Sequence, residues 1–283
     1  HPAWLRAIHC NPRSESEPDD NDPMTPSFGE AERRPPPKSI LLDPALEGKF
    51  GSEEDSISAY WSHSQAETIR GVMLSRPGST HLMVFPTGSG KSLIGLAASM
   101  AEHSRPGGIT IVIVPTVALA HDQVAQAKGA FPPDANINAW ESGTPPSEKN
   151  EIKERIKNGT QTFLYTSPES LLGTLKSAIL KAAGRKHLRT FIVDEAHLIS
   201  TWGASFRTSF QTMSALWRRL REVCDFRTIL MSATVTAQAY EDLKLFFDRP
   251  DSPLEISASL YLRTEIDSYH SPCGTSEEKT QRI

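Results

Sequence analysis

Short apolar segments alternate with longer helical patterns along residues 56–262, and this alternation constrains the fold more than any other feature. Strands are predicted at residues 81–85, 109–114, 162–166, 190–193 and 228–231, with a weaker one at 254–256. Helices are predicted between them at residues 91–101, 117–129, 147–157, 209–224 and 236–247. This alternation predicts an α/β fold in which helices cover both faces of a mostly parallel sheet. Ligands of such sheets bind at the carboxyl ends of the strands, so chemical motifs are expected there.

A Gly-rich turn separates the first of these strands from the first helix. Its residues are Pro86, Thr87, Gly88, Ser89, Gly90, Lys91 and Ser92. The amides of such a turn surround phosphate oxygens, and glycine allows the backbone angles and close approach that this requires. Lys91 supplies a cation for the terminal phosphates, and Ser92 supplies a hydroxyl for Mg²⁺. The strict phosphate-loop pattern has glycine where this chain has Phe85, and a chance turn that opens a helix is the alternative.

A pair of carboxylates follows the predicted strand at residues 190–193, as Asp194 and Glu195, with His197 just beyond them. A carboxylate at the end of a neighbouring strand holds Mg²⁺ opposite the phosphate loop, and the next carboxylate orients and deprotonates the attacking water. We therefore expect Asp194 to face the metal, Glu195 to face the water and His197 to sense the γ-phosphate. Taken alone, these residues are also compatible with a helix cap.

Composition and charge exclude several other classes of protein. The net charge is −4, with 12 acidic and 6 basic side chains in residues 1–55 (−6) and 22 acidic and 24 basic in residues 56–283 (+2). A generally basic nucleic-acid binder is therefore not expected, whereas a local basic groove stays possible. No apolar run approaches the roughly 18 to 20 residues of a membrane helix. Three well-separated cysteines without a Cys-x-x-Cys pair favour a reducing cytoplasm over disulfide or zinc scaffolds.

Four further segments, at residues 114–124, 165–171, 199–207 and 232–234, narrow the interpretation. Together with the phosphate loop and the Asp194–His197 motif, these segments resemble the superfamily 2 DEAD/DEAH-box helicases. Within residues 199–207, the Trp-Gly and Phe-Arg pairs resemble the aromatic-rich loop of the RecQ-like ATP-dependent DNA helicases. The resemblance implies the first RecA-like domain of such a motor, a P-loop NTPase. It also implies ATP and Mg²⁺ as cofactors and 3′ to 5′ movement on DNA.

The resemblance assigns a DNA-sensing role to Trp202, Phe206 and Arg207. Aromatic faces stack on unpaired bases, each worth roughly 1 to 3 kcal/mol. Arginine adds a phosphate or cation–π contact. Because this segment follows the Asp194–His197 motif, it could couple DNA occupancy to ATP chemistry. Packing of both aromatic rings beneath a helix is the alternative.

By the same resemblance, Pro115, Thr116, Ser167 and Pro168 contact the phosphodiester backbone, and Ser232 and Thr234 couple the ATP and DNA sites. Sequence-independent contacts suit a motor that must pass every base. Gln65 is expected to recognise the adenine edge. The usual Arg after the preceding aromatic is Ser62 here, and a helix face spanning Trp61, Gln65 and Ile69 is the alternative for that region.

Three regions are predicted: an acidic, Pro-rich and partly flexible N-terminal extension at residues 1–55, the ATP-binding domain at 56–262, and a linker or the start of a second RecA-like domain at 263–283. The expected partners are single-stranded or forked DNA, the second RecA-like domain of the same protein, and other subunits of a repair or defence complex. Without an arginine finger from that second domain, little ATP turnover is expected.

Three alternatives stay open. The first is a nucleic-acid-binding scaffold that uses ATP as a switch without unwinding. The second is another P-loop ATPase, such as a transporter or an AAA-type machine, which would lack the Trp202–Arg207 loop. The third is an RNA helicase, against which only the resemblance argues.

Overall fold

The computed structural model describes residues 29–30, 40–44, 46–47, 58–103, 108–198, 204–259 and 269–270. The chain divides into two compact units. In one unit, residues 1–38 and 260–283, strands β1 (Gly29–Glu30) and β11 (Tyr269–His270) pair antiparallel. The other unit, Ser39–Ser259, carries the central sheet.

Seven parallel strands form this sheet, in the order β10-β4-β9-β8-β5-β7-β6. Their bounds are β4 (Thr80–Val84), β5 (Ile109–Ile113), β6 (Ile137–Trp140), β7 (Phe163–Thr166), β8 (Leu188–Val193), β9 (Arg227–Ser232) and β10 (Leu254–Ala258). A short antiparallel pair, β2 (Ile40–Leu41) and β3 (Ala59–Tyr60), precedes the sheet. The mostly parallel α/β sheet predicted from the sequence is confirmed.

Helices lie on both faces of the sheet and divide the apolar core into two clusters. On one face lie α1 (His63–Leu74), α2 (Lys91–His103) and α3 (Val117–Ala130). On the other lie α4 (Pro146–Asn158), α5 (Pro168–Leu172), α6 (Lys176–Gly184), α7 (Ala204–Val223) and α8 (Ala237–Phe247). Successive side chains of β4 point to opposite faces of the sheet. Leu82 belongs to the cluster on the side of α4 to α8, and Met83 belongs to the cluster on the side of α1 to α3.

Residues 40–44 and 46–47, within the segment predicted as an extension, contribute to the core beneath α1. Leu42 and Leu46 are buried in the same cluster as Ile69. Asp43 accepts hydrogen bonds from the Tyr60 hydroxyl (2.7 Å) and from the Arg70 guanidinium (2.7 Å), and the Arg70 hydrogen bond lowers the pKa of the Asp43 carboxyl. These contacts attach the short antiparallel pair to α1.

The structure adds elements that the sequence patterns did not reveal, and it corrects one. Strand β6 and helices α5 and α6 were not among the predicted elements, and α1 was considered only as the alternative for Trp61, Gln65 and Ile69. Gln65 and Ile69 are both buried in this helix. Helix α7 begins at Ala204, five residues before the predicted start at residue 209. The backbone of Phe206 and Arg207 is therefore helical, and the loop predicted for residues 199–207 is wrong over its last four positions. Across the described segments, every helix is too short or too polar to cross a membrane.

Candidate nucleotide and nucleic-acid site

The predicted site residues follow five strands that are neighbours in the sheet. Along the carboxyl edge, the phosphate loop follows β4, Ser232 ends β9 and Asp194 follows β8. Thr116 lies beyond β5, and Ser167 follows β7. Because adjacent strands are about 4.8 Å apart, the phosphate loop and Asp194 follow strands separated by about 10 Å. The topology thus gathers at one edge motifs that are far apart in the chain.

The phosphate loop is a closed turn in which two glycines have left-handed backbone angles. Gly88 has a φ of 79° and Gly90 a φ of 75°, a region that L side chains rarely adopt. The turn is closed by Ser89, whose backbone N–H and hydroxyl both donate to the Pro86 carbonyl, at 3.2 and 2.6 Å. Helix α2 begins at Lys91, directly after Gly90, so the loop ends at a helix N-terminus, which favours bound anions.

Lys91 is half-buried and lies against its own loop. Its Nζ donates to the carbonyl oxygens of Phe85 (3.1 Å) and Pro86 (3.3 Å). Burial lowers the pKa of the Lys91 ammonium, while the nearby carboxylates of Glu195 and Asp194 act in the opposite direction. Both carboxylates are therefore close enough to influence the lysine that starts α2.

Gln65 connects α1 to the phosphate loop. Its side chain is buried, and its Nε2 donates to the carbonyls of Ser89 (3.0 Å) and Gly90 (3.3 Å). Its Oε1 accepts from the backbone N–H of Trp61 (2.7 Å), and its own N–H donates to the Ser62 hydroxyl that caps α1. Gln65 thus lies beside the phosphate loop. Its carboxamide is engaged with the protein at both ends.

The Asp194–Glu195 pair forms a strained turn after β8. Glu195 has a φ of 50°, a left-handed angle that costs a non-Gly residue about 1 to 2 kcal/mol. Its backbone N–H donates to Asp194 Oδ1 at 2.9 Å, and Asp194 Oδ2 accepts from the Gln123 amide at 2.6 Å. The backbone N–H of Asp194 donates to the Ile113 carbonyl at 2.9 Å, which continues the β5–β8 pairing into the turn.

His197 and Ser232 are brought together across the β8–β9 pair. The Ser232 hydroxyl donates to the Thr234 carbonyl at 2.6 Å, so its oxygen accepts from His197 Nδ1–H at 2.9 Å. The same ring nitrogen lies 3.2 Å from Glu195 Oε2. Ser232, which is bonded to the Thr234 carbonyl, is therefore connected to Glu195 through the imidazole ring of His197.

The residues assigned to the DNA backbone lie on two neighbouring strand ends, since Ile113 of β5 pairs with Thr166 of β7. Thr116 is exposed, and its hydroxyl caps α3 by accepting from Leu119 N–H at 3.4 Å. Pro115 is partly buried in the turn before it. Ser167 caps α5, but the ring of Pro168 is buried as the first residue of that helix. Trp202 and the side chains of Phe206 and Arg207 lie outside the described part of the chain.

Two residues of this site carry no role from the sequence motifs. Gln123 lies 71 positions from the carboxylate that its amide contacts, so no local pattern marks the pair. Tyr165 is buried; burial raises the pKa of its hydroxyl, and the charge of Asp194 raises it further, so the phenol stays neutral. A small cavity under α2 is lined by Ser92, Gln123 and Tyr165, which places the Ser92 and Gln123 side chains around one space.

A parallel sheet with a phosphate loop after one strand and a carboxylate pair two strands away defines a P-loop NTPase domain of the RecA-like type. The chain belongs to the DEAD/DEAH box helicase family, whose model matches residues 62–243.

Curated relatives are RecQ-family ATP-dependent DNA helicases. The chain is 34% identical over 185 residues to "ATP-dependent DNA helicase RecQ" of Bacillus subtilis, covering 63% of this chain and 28% of that protein. It is 30% identical over 191 residues to "Putative ATP-dependent DNA helicase Q1" of Caenorhabditis briggsae, covering 66% of this chain and 29% of that protein. The chain thus spans less than a third of the length of either relative.

A solved structure shows the same fold. The DUF1998 helicase MrfA, in a crystal structure with bound DNA, superposes with a TM-score of 0.64. The match covers 82% of this chain and 32% of that one, at 18% sequence identity.

Proposed function

We propose that the chain is the ATP-binding motor domain of a RecQ-like DNA helicase, in which hydrolysis of Mg²⁺-ATP is coupled to single-stranded DNA. One observation carries the proposal: the phosphate loop, the Asp194–Glu195 turn, Thr116 and Ser167 follow strands that share one sheet edge. At this edge hydrogen bonds join Asp194 to Gln123 of α3 and His197 to Ser232 at the end of β9. Movement in the 3′ to 5′ direction is part of the same proposal, and it rests on the RecQ relatives alone.

ATP binding would use the loop amides and the Lys91 ammonium. Lys91 would exchange its hydrogen bonds to the Phe85 and Pro86 carbonyls for phosphate oxygens, which are stronger acceptors because they are charged. The left-handed glycines keep the turn free of side chains, so the backbone can approach the phosphates closely. Gln65 supports the loop through its hydrogen bonds to the Ser89 and Gly90 carbonyls, and it would have to exchange these bonds to recognise the adenine edge.

The donor set fits Mg²⁺, which prefers oxygen ligands and keeps several of its waters. Ser92 is the second residue of α2, and the Asp194 carboxylate accepts a hydrogen bond from Gln123, which lines the same small cavity as Ser92. Bound there with the nucleotide, the cation would neutralise charge on the phosphates.

Hydrolysis requires a base for the attacking water, and Glu195 is the candidate. A water oxygen would form a bond to the γ-phosphorus, the bond to the β–γ bridging oxygen would break, and Glu195 would take the water proton. The left-handed turn at Glu195 and the contact of its Oε2 with His197 fix the direction of this carboxylate. An arginine finger from a second RecA-like domain, in the longer protein that the relatives exemplify, would be worth about 10³ to 10⁵ in rate.

DNA would cross the sheet edge beside the nucleotide. The exposed N-terminus of α3 at Thr116 favours a phosphate group, and Ser167 on the adjacent strand end offers a hydroxyl. Trp202, Phe206 and Arg207 would stack on bases and contact the backbone, as the RecQ resemblance implies. Helix α7 begins at Ala204, a few residues after the turn that carries Glu195 and His197. A movement of residues 202–207 on DNA binding would therefore change the position of that turn.

Nucleotide binding is tested with a fluorescent ATP analogue and Mg²⁺, measured by anisotropy. Lys91→Ala is expected to weaken binding at least tenfold, because it removes the cation at the phosphates. Lys128→Ala, a substitution of the exposed lysine near the end of α3, is the matched control and should bind as the unsubstituted chain does. Equal affinity in the Lys91 variant would contradict the phosphate-loop assignment.

DNA binding is tested with a labelled oligothymidine. Trp202→Ala should lose roughly 1 to 3 kcal/mol of binding free energy, the value of one stacked base, and Trp202→Phe should retain most of it. If the alanine variant binds DNA as tightly as the phenylalanine variant, the aromatic segment does not stack on DNA.

A further inference from the structure

The Asp194 carboxylate has a hydrogen-bond partner, Gln123, to which the sequence motifs assigned no role. The Nε2 of Gln123 donates to Asp194 Oδ2 at 2.6 Å, the short distance typical of a hydrogen bond to a charged acceptor. Gln123 is half-buried on the face of α3 that packs toward the sheet, and it lies close to Ser92 around one small cavity. Its amide is therefore located at the metal-facing side of the predicted nucleotide site.

The two oxygens of Asp194 are fixed by different parts of the chain. Oδ1 accepts from the backbone N–H of Glu195 at 2.9 Å, which is a bond within the turn itself. Oδ2 depends on Gln123, which belongs to another helix. Each carboxylate oxygen has two lone pairs, so both hydrogen bonds leave a lone pair free to face a metal-bound water. Removal of the Gln123 donor would leave the carboxylate plane held at one oxygen only.

Helix α3 holds Gln123 rigidly in this position. The Thr116 hydroxyl caps the helix, and Ala120 and Ala127 are buried in the core on the same side of the sheet. Asp194 is fastened to the strand before α3 as well, because its N–H donates to the Ile113 carbonyl at 2.9 Å. The donor is thus part of α3, and the acceptor is bonded to β5, the strand that precedes α3.

We infer that Gln123 is a positioning residue for the metal-facing carboxylate of Asp194, acting on Mg²⁺-dependent nucleotide binding through that one hydrogen bond. The inference rests on the proposed function, since it requires Asp194 to face Mg²⁺. Loss of a residue that orients a metal ligand typically weakens metal affinity by about 10- to 100-fold.

The test compares nucleotide affinity with and without Mg²⁺. Binding of fluorescent ADP to the whole chain is measured by anisotropy in saturating Mg²⁺ and in EDTA, and the ratio of the two affinities is the Mg²⁺ enhancement. Gln123→Met keeps the length of the side chain but has no N–H donor. It is expected to lower the enhancement about tenfold and to leave binding in EDTA within twofold. Unchanged binding in EDTA also shows that the variant is folded.

Two further variants separate positioning from general damage. Gln126→Met changes a residue that lies three positions further along α3 and lines the same cavity, and its Mg²⁺ enhancement should equal that of the unsubstituted chain. In an Asp194→Asn background, Gln123→Met should cause no additional loss, because the bond that it removes serves that carboxylate.

Three outcomes would overturn the inference: an unchanged enhancement in Gln123→Met, an equal loss in Mg²⁺ and in EDTA, or an additive loss in the double variant. If the unsubstituted chain binds no nucleotide in either condition, the proposed function fails and the inference fails with it. A failure confined to the Gln123 variants leaves the proposed function standing.

Discussion

Replacement of Gly90 by alanine is expected to damage the phosphate loop through two separate effects. Gly90 has a φ of 75°, in the left-handed region. A Cβ at this position would lie 2.3 Å from the Gln65 Nε2, far inside van der Waals contact. Gln65 is a flexible side chain and could move, but only by giving up its hydrogen bonds to the Ser89 and Gly90 carbonyls.

The magnitude follows from these two effects. An L-residue held at a left-handed angle costs about 1 to 2 kcal/mol relative to glycine. Displacement of the Gln65 amide leaves a buried polar group without its acceptors, which costs about 1 to 3 kcal/mol. The free energy of unfolding should therefore fall by roughly 2 to 5 kcal/mol, a large part of the roughly 5 to 15 kcal/mol typical of a domain.

Urea unfolding followed by tryptophan fluorescence measures this effect. Gly71→Ala is the matched control, because Gly71 lies within α1 and a Cβ there meets no atom within 4 Å. Its free energy of unfolding should rise by about 0.5 to 1 kcal/mol, since alanine is the better helix former. If Gly90→Ala unfolds at the same urea concentration as the unsubstituted chain, neither the left-handed backbone angle nor the contact with Gln65 destabilises the variant, which would contradict the prediction.

Burial lowers the pKa of His81 from 6.5 to about 4. Because the unfolded chain binds this proton more readily, the free energy of unfolding should be greatest above pH 6.5 and fall by roughly 3 kcal/mol toward pH 4. Urea unfolding of His81→Gln should show a smaller decline over the same pH range. Thr228→Val leaves the buried Trp217 indole N–H without its acceptor at 2.9 Å and should cost about 1 to 3 kcal/mol, so a loss below about 0.5 kcal/mol would contradict it. Ser232→Ala removes the hydroxyl that accepts from His197. In a form of the protein whose ATP turnover responds to DNA, this substitution should lower the stimulation of ATP hydrolysis by DNA about fivefold and leave the affinity for ATP unchanged.

The sheet was predictable because each of its inner strands is a short apolar run followed by a helix or a motif. β5 and β8 have this form, and the phosphate loop follows β4 as the spacing requires. β6 was missed because its four residues include Asn138 and Ala139, so only Ile137 and Trp140 carry the apolar signal of a strand at the sheet edge.

The start of α7 was misplaced for a related reason. The three- and four-residue spacing of apolar side chains begins at Phe210, whereas the helix begins at Ala204 within a polar and small-residue stretch. Periodicity locates the buried face of a helix, and the first turns of a helix need not contribute to that face. α6 was hidden similarly by its lysines, although Ala178, Ile179 and Ala182 form its buried side.

The positions of Lys91, Asp194 and Glu195 at one sheet edge were predictable, because each belongs to a motif that directly follows a strand. The site was not predictable where function depends on a contact between distant residues. The Gln123–Asp194 and Gln65–Ser89 hydrogen bonds span 71 and 24 positions and exist only because the sheet brings their elements together. Ser232 was assigned a coupling role by resemblance alone, and no sequence pattern marks its contact with the imidazole of His197.

ATP hydrolysis with and without single-stranded DNA tests the central claim most directly. The assay uses this chain and a longer one that includes the following region of roughly 200 residues expected for a second RecA-like domain. The account predicts DNA-stimulated turnover in the longer chain, lost in Lys91→Ala and in Glu195→Gln. If ATP binds but DNA never alters its turnover, the motor assignment is contradicted, and a nucleic-acid-binding scaffold switched by ATP becomes the better description.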